Sequence, residues 1–253
     1  MKKYNLIILI AIIYSLFNNS IIYAQNESAE KKNTFSTNCD LMSRYIWRGL
    51  DFGGSPSIQP GIEYNIGGLT LGTWGAFTTN SPGTQETDLY ISYTFVEKFS
   101  LTFTDYFFPD EINSGYKYFD FSESTTGHIF EASASFNGTK KYPITFLIAT
   151  NIFGADAKKI NADGTSGSIQ FSTYAELAYS FKYLDAFIGF NLTNPDESLG
   201  ETGFYGNSFG VTNLGISTTK TIKITNDFEL PLSVSLITNP QAENIYMVAG
   251  LSF

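Results

Sequence analysis

The sequence holds one cysteine, Cys39, and one histidine, His128, among 253 residues. One thiol cannot close an intramolecular disulfide. One imidazole and one thiol cannot supply the ligand sets that hold structural or catalytic zinc. The His and Ser that share a strand in the twelve-stranded phospholipases are missing too, because Phe130 stands two residues after His128. No glycine loop of the kind that cradles phosphate is present, and nothing points to a metal or another cofactor. Charge is scarce, at 15% of residues, where a soluble domain carries about 25%. Basic residues are the scarcer sign, with 15 Lys and Arg against 24 Asp and Glu, which argues against nucleic acid as a partner. Long apolar runs are absent apart from Leu6 to Phe17, and that run is too short for a membrane helix of about 20 residues.

The layout around that run, "MKK" before it and "NNSIIYAQN" after it, is that of a secretory signal peptide over residues 1–24, cut after Ala24. An uncleaved anchor is the alternative. Cys39 lies well past the cut, so it is not placed to carry a lipid at a mature N-terminus. Removing Lys2 and Lys3 leaves 13 basic against 24 acidic residues, a net charge of about −11.

What the chain has in quantity is aromatics, 23 Phe and 16 Tyr, together with 22 Gly, at a mean hydropathy close to zero. A transmembrane β-barrel has this composition, because only every second residue of its strands faces lipid. The periodicity agrees. In "DLYISYTF" Leu89, Ile91, Tyr93 and Phe95 share one face and Asp88, Tyr90, Ser92 and Thr94 the other. "HIFEASASF", "LDAFIGFNL" and "FELPLSVSLIT" alternate in the same way.

Twelve such segments are predicted, at 38–49, 57–66, 69–79, 86–95, 98–108, 127–136, 143–152, 169–181, 184–193, 208–219, 227–238 and 244–253. Their connections alternate between short and long, as periplasmic turns and external loops do in outer-membrane barrels. The expected architecture is an all-β, antiparallel, up-and-down transmembrane barrel over 38–253, with a short periplasmic segment at 25–37 and both termini in the periplasm. A β-sandwich is the alternative, since an edge strand of one could also end in "GLSF".

In the last strand Ile245, Met247, Ala249, Leu251 and Phe253 are expected to face outward, with Tyr246, Val248, Gly250 and Ser252 inward. The terminal ring then sits in an interfacial aromatic girdle, beside Phe95, Phe99, Phe136, Phe181, Tyr183 and Phe228 at the other short turns. An amphipathic last strand carrying Tyr246, Leu251 and Phe253 also resembles the C-terminal signal read by the bacterial barrel-assembly machinery. Outer-membrane lipid and that machinery are the partners this implies.

The stretch "SRYIWRGLDFGGSPSIQPGIEY", residues 43–64, resembles the opening of the TorF-type porin family. Ser43, Tyr45, Arg48 and Gly49 match the family's Ser-x-Tyr-x-x-Arg-Gly motif, which leads into a loop and a Pro-containing second strand. The resemblance implies an outer-membrane barrel of a Gram-negative bacterium, a porin whose solute the family does not fix, and no enzymatic activity.

Strand parity places Asp40, Arg44, Arg48, Glu63, Asp88, Glu131, Glu176 and Asp185 on the inward face. Two arginines on the first strand, four residues apart, face several acids. One reading is a constriction that selects small solutes by charge during passive diffusion. The other is a salt-bridged plug in a non-conducting structural or binding barrel, whose external loops meet a partner. "NADGTSG" at Asn161 could hold a calcium ion loosely but lacks the spaced acids of a calcium loop, and an ordinary external turn accounts for it.

Overall fold

The computed structural model describes residues 33–80, 83–109 and 117–253. The signal peptide expected at 1–24 lies outside the described residues, as does most of the segment expected at 25–37. In chain order β1 (Thr34–Met42) is followed by a small hairpin, β2 (Ile46–Trp47) and β3 (Leu50–Asp51). Then come β4 (Ser57–Ile66), β5 (Leu69–Thr78), β6 (Gln85–Phe95), β7 (Phe99–Phe107), β8 (His128–Phe136) and β9 (Ile144–Gly154). A second small hairpin, β10 (Lys158–Ile160) and β11 (Ser166–Ile169), precedes β12 (Thr173–Ser180) and β13 (Asp185–Asn191). The chain finishes with β14 (Gly210–Lys223), β15 (Glu229–Asn239) and β16 (Asn244–Ser252).

Twelve of these close into a barrel in the order β1-β16-β15-β14-β13-β12-β9-β8-β7-β6-β5-β4, every neighbour antiparallel. Closure is what rules out the sandwich, whose two sheets would each leave open edges. The outer face is apolar: Leu89, Ile91 and Tyr93 on β6, and Leu101 and Phe103 on β7, are exposed large hydrophobics. The inward face carries Glu, Asp, Ser and Thr. This is the reverse of a soluble barrel and follows from the period-two pattern. Short turns, such as Gly67 and Gly68 between β4 and β5, gather at one end, and the long connections at the other.

Ten of the predicted windows fall on wall strands with small shifts at their ends, and two need correction. The first strand runs over Thr34–Met42, not 38–49; Thr34 to Thr37, expected in an N-terminal segment, already pair with β4. Residues 43–49 alternate as a strand should, but they turn into the lumen. The window at 169–181 starts too early, because Ile169 closes the β10–β11 hairpin and the wall resumes at Thr173.

The inward turn has a visible course. The β1–β4 ribbon runs to the pair Met42↔Ser57 and continues as the β2–β3 pairs Ile46↔Asp51 and Trp47↔Leu50. Between them one limb bends at Ser43 and Arg44 and the other at Gly53 and Gly54, where φ is +120° and +63°. Conformations of that kind favour glycine. As a result β1 meets β16 over a short seam only, Asp40↔Ser252 to Met42↔Gly250. The seam is extended by Phe253 N–H donating to Cys39 O (3.0 Å), Cys39 N–H to Phe253 O (3.1 Å) and Ser43 N–H to Ala249 O (2.8 Å).

The terminal residue therefore helps close the barrel as well as carrying an exposed ring. Phe253→Asp is expected to lower the yield of heat-modifiable, folded barrel. Deleting Phe253 is expected to lower it further, since two seam bonds of about 0.5–1.5 kcal/mol each go with it. Equal yields for wild type and deletion, by shift of the unheated band on gels, would remove the seam from the account.

Candidate functional site: an arginine layer across the lumen

The tip of the β2–β3 hairpin is Arg48-Gly49, with φ of +51° and +80°. Gly49 is fixed by space as well as by φ: a Cβ there would lie 1.9 Å from the backbone oxygen of Thr212 on β14. Asn239 Nδ2, buried on β15, donates to Gly49 O at 3.2 Å. The tip is thus docked on the β14–β15 part of the wall, and this places Arg48 inside the lumen.

Its guanidinium forms a two-pronged ion pair with Glu131 on β8, Nη1 to Oε2 and Nη2 to Oε1, the latter at 3.0 Å. The side chains are 8% and 2% exposed. Tyr106 Oη donates to Glu131 Oε1 at 3.1 Å, and Arg48 Nη1 also donates to Tyr205 Oη. Aromatic rings close the box, with the guanidinium carbon 4.3 Å from the ring centre of Trp47, 4.9 Å from Tyr174 and 5.4 Å from Tyr205. A guanidinium is weakly hydrated and stacks on rings, so it tolerates such a site better than an ammonium would.

Tyr205 comes from the long connection after β13, and buried Asn191 holds that loop in. Asn191 Nδ2 donates to Gly206 O (2.9 Å), Ser208 O (2.9 Å) and Thr193 O (3.0 Å). Tyr205 is 1% exposed and meets Phe204 edge to face, with ring centres 4.9 Å apart. On the hairpin's other side Tyr45 Oη donates to Glu86 Oε2 at 2.7 Å, with Trp74 5.5 Å from the Tyr45 ring. Arg44 pairs with Asp51 at 2.7 Å and lies 5.6 Å over Tyr246.

The eight residues predicted to line the lumen all reach the interior, though not as expected. Asp40, Glu63, Asp88, Glu131, Glu176 and Asp185 sit on wall strands and share the inward face by register. Arg44 and Arg48 are corrected: neither is on the first strand, and the straight spacing of two arginines along one strand does not hold. Arg44 is in the bend and Arg48 at the hairpin tip. Each is already neutralised by a carboxylate. Glu63 accepts from Tyr90 at 2.6 Å, and Glu176 from Tyr174 and from Asn213 Nδ2 (2.9 Å). Among the described residues none of Asp40, Glu63, Glu176 and Asp185 makes an ion pair.

The sequence reading missed Trp47, Glu86, Tyr106, Tyr174 and Tyr205. Glu86 has the parity of Asp88 and could have been read; Tyr205 lies in a loop with no period to place it. His128 was assigned no role in the lumen. It is fully buried at the loop end of β8, with Nδ1 2.7 Å from Asp105 and Nε2 2.6 Å from Tyr118 O. In the "NADGTSG" turn Asp163 Oδ1 accepts from Thr165 N–H and Oγ1, which holds its carboxyl below the usual range. The turn satisfies itself.

The lumen is unequal along its length. Beyond the arginine layer, toward the short-turn end, the inward side chains are small and hydroxylic and remain partly exposed, as at Ser92, Thr94, Thr102, Ser133, Ser135 and Ser235. One half of the barrel is packed and the other is less completely filled.

A closed antiparallel wall of twelve strands, apolar outside and polar inside, defines the class. Within it the chain belongs to the family described as "Bacterial protein of unknown function (Gcw_chp)", which matches residues 26–172 and so includes the hairpin and Glu131. No curated protein sequence matches the chain. Among solved structures it is similar to a KdgM porin (TM-score 0.43, 10% identity, 85% of this chain and 98% of that one). It is also similar to a NanC porin (0.45, 8%, 86% and 98%) and to the outer membrane protein opdK from Pseudomonas aeruginosa (0.36, 12%, 85% and 60%). Similarity this distant carries nothing about solute or gating.

Breaking the pair from either side strands a buried charge, at about 3–5 kcal/mol. Arg48→Ala and Glu131→Gln should therefore each lower the unfolding temperature clearly. The double variant should lose less than the sum of the two. Additive losses in a thermal-unfolding cycle would mean that the pair is not coupled.

Proposed function

We propose that this chain, after loss of its signal peptide, is a TorF-type outer-membrane barrel of a Gram-negative bacterium that acts as a narrow porin for passive diffusion of small solutes. Both termini and the short turns face the periplasm, and the long connections face out. Outer-membrane lipid covers the apolar wall, and the barrel-assembly machinery inserts the chain. No chemistry is assigned to it.

The observation that carries this reading is the half of the lumen lined by small, partly exposed hydroxylic side chains. A barrel needed only as a structural post would be expected to fill its interior, as eight-stranded barrels do with side chains alone. Here hydroxyl groups and acids without an ion pair among the described residues stay partly exposed instead. With both arginines neutralised, the acids set the sign of the potential, so cations are favoured. The preference fades at high salt, where the screening length falls from about 10 Å at 0.1 M to about 3 Å at 1 M.

One observation favours the second reading, a non-conducting barrel with surface loops. The Arg48–Glu131 layer is nearly dry. The hairpin decides between the two. Planar-bilayer recording of the purified protein should give small, cation-preferring steps, and replacing residues 45–52 by two glycines should enlarge them. A silent wild type with a conducting variant would make the hairpin a permanent plug and favour the second reading.

The orientation has its own check. A cysteine at Gly164 in a Cys39→Ser background should react with an impermeant maleimide on intact cells, and one at Gly67 should not. The reverse pattern would invert the barrel.

A further inference from the structure

We propose that the cavity beside Glu176 is a binding site for small organic monocations, an ammonium group on an apolar body. The proposal rests on the porin reading only in requiring that water and solutes reach the less filled half of the lumen.

The cavity has a volume of about 340 Å³ and reaches from the hairpin to the wall strands β9, β12, β13, β14 and β15. That is near the lower end of ligand sites, about 300–1,000 Å³. Its floor and sides are largely apolar, from Ile46, Leu147, Phe187 and Ile237. Trp47 and Arg48 form the hairpin side, and Tyr174, Glu176 and Asn213 the polar corner.

The hydrogen bonds decide what this corner can accept. Arg48 spends three of its five N–H groups on Glu131 and Tyr205, and Glu131 already matches its charge, so an anion would gain little there. Asn213 Nδ2 donates both to Tyr174 Oη (3.0 Å) and to Glu176 Oε2 (2.9 Å). Tyr174 Oη donates to the same Oε2. The donors of Tyr174 and Asn213 are therefore in use, while among the described residues none donates to Glu176 Oε1, and the residue remains partly exposed.

With Arg48 and Glu131 cancelling, the corner holds one uncompensated negative charge. An ammonium supplies the missing donors and the missing charge together. A neutral sugar would leave the charge of Glu176 unmatched. A metal ion would need more ligands, and the described residues contain no group of three or more His, Cys, Asp or Glu placed to hold one. The apolar sides and the rings of Phe187 and Tyr174 suit the body of the cation.

The test is calorimetric titration of the full barrel in detergent with benzylammonium, benzyl alcohol and benzoate, at about 0.15 M salt to suppress diffuse attraction. Benzylammonium should bind saturably at one site, and the neutral and anionic isosteres should not. Glu176→Gln keeps an acceptor for Tyr174 and Asn213 and should weaken binding about tenfold, the scale of one charge-assisted hydrogen bond. Phe187→Ala leaves the carboxylate in place and should also weaken it, whereas Asp227→Asn, in an exposed turn, should not.

Equal affinity for the three probes, equal affinity in wild type and Glu176→Gln, or no saturable heat would each overturn the proposal. Conductance does not enter the readout. A silent barrel that binds benzylammonium would cost the porin reading and keep the site; a conducting barrel that does not bind it would do the reverse.

Discussion

The pairing of Arg48 with Glu131 is the interaction on which the interior depends. A guanidinium taken out of water is tolerable only if its charge is matched and its N–H groups are used. Glu131 matches the charge with both oxygens, and Tyr205 takes a further bond. To bring these together the chain has to place a hairpin tip, a wall strand and a loop within one layer. Gly49 against Thr212 holds the tip, and Asn191 holds the loop. Neither carries the charge itself, but the geometry of the pair rests on both.

A width argument explains why backbone is used at all. Side chains alone fill a barrel of about eight strands, and sixteen leave an aqueous channel. Twelve strands enclose more space than Tyr, Trp and Arg side chains from the wall would fill. The β1–β4 ribbon supplies the difference by bending inward, which costs the wall part of its β1–β16 seam. Backbone inside a barrel must be satisfied, and here the β2–β3 pairs, Asn239 on Gly49 O and Tyr45 O accepting from Phe52 N–H do that.

The wall was legible in the sequence because its signal is redundant: twelve alternating segments and the order of short and long connections each give the strand count. The inward acids were legible from parity alone, since a residue's face on a wall strand is fixed once the strand is placed. Arg44 and Arg48 were not, because the alternation of Ser43, Tyr45 and Trp47 against Arg44, Ile46 and Arg48 fits the wall as well as it fits the hairpin. What separates the two is long-range: the room beside Thr212 and the carboxylate at Glu131, neither of which is local to the segment. The "GG" at Gly53 and Gly54 was the one nearby sign, and it reads equally well as an ordinary loop. Tyr205 lay beyond reach for the same reason, since nothing in "ETGFYGN" says which way the loop folds.

The same residues bear on the choice between channel and plug. A dry, paired arginine is the mark of packing, whereas the unpaired Glu63, Glu176, Asp185 and Asp40 are tolerable only where water reaches them. Both conditions hold in one lumen, on different sides of one hairpin. The packed side is carried by a two-stranded ribbon joined to the wall at its base and held at its tip by a 3.2 Å hydrogen bond, a glycine contact and the ion pair. Its hold on the lumen lies at Arg48 and Gly49, with Tyr45 on Glu86 as a second anchor nearer the base. Whatever loosens that tip acts on the whole obstruction at once, while the wall, tied by eleven long ladders and one short seam, need not change.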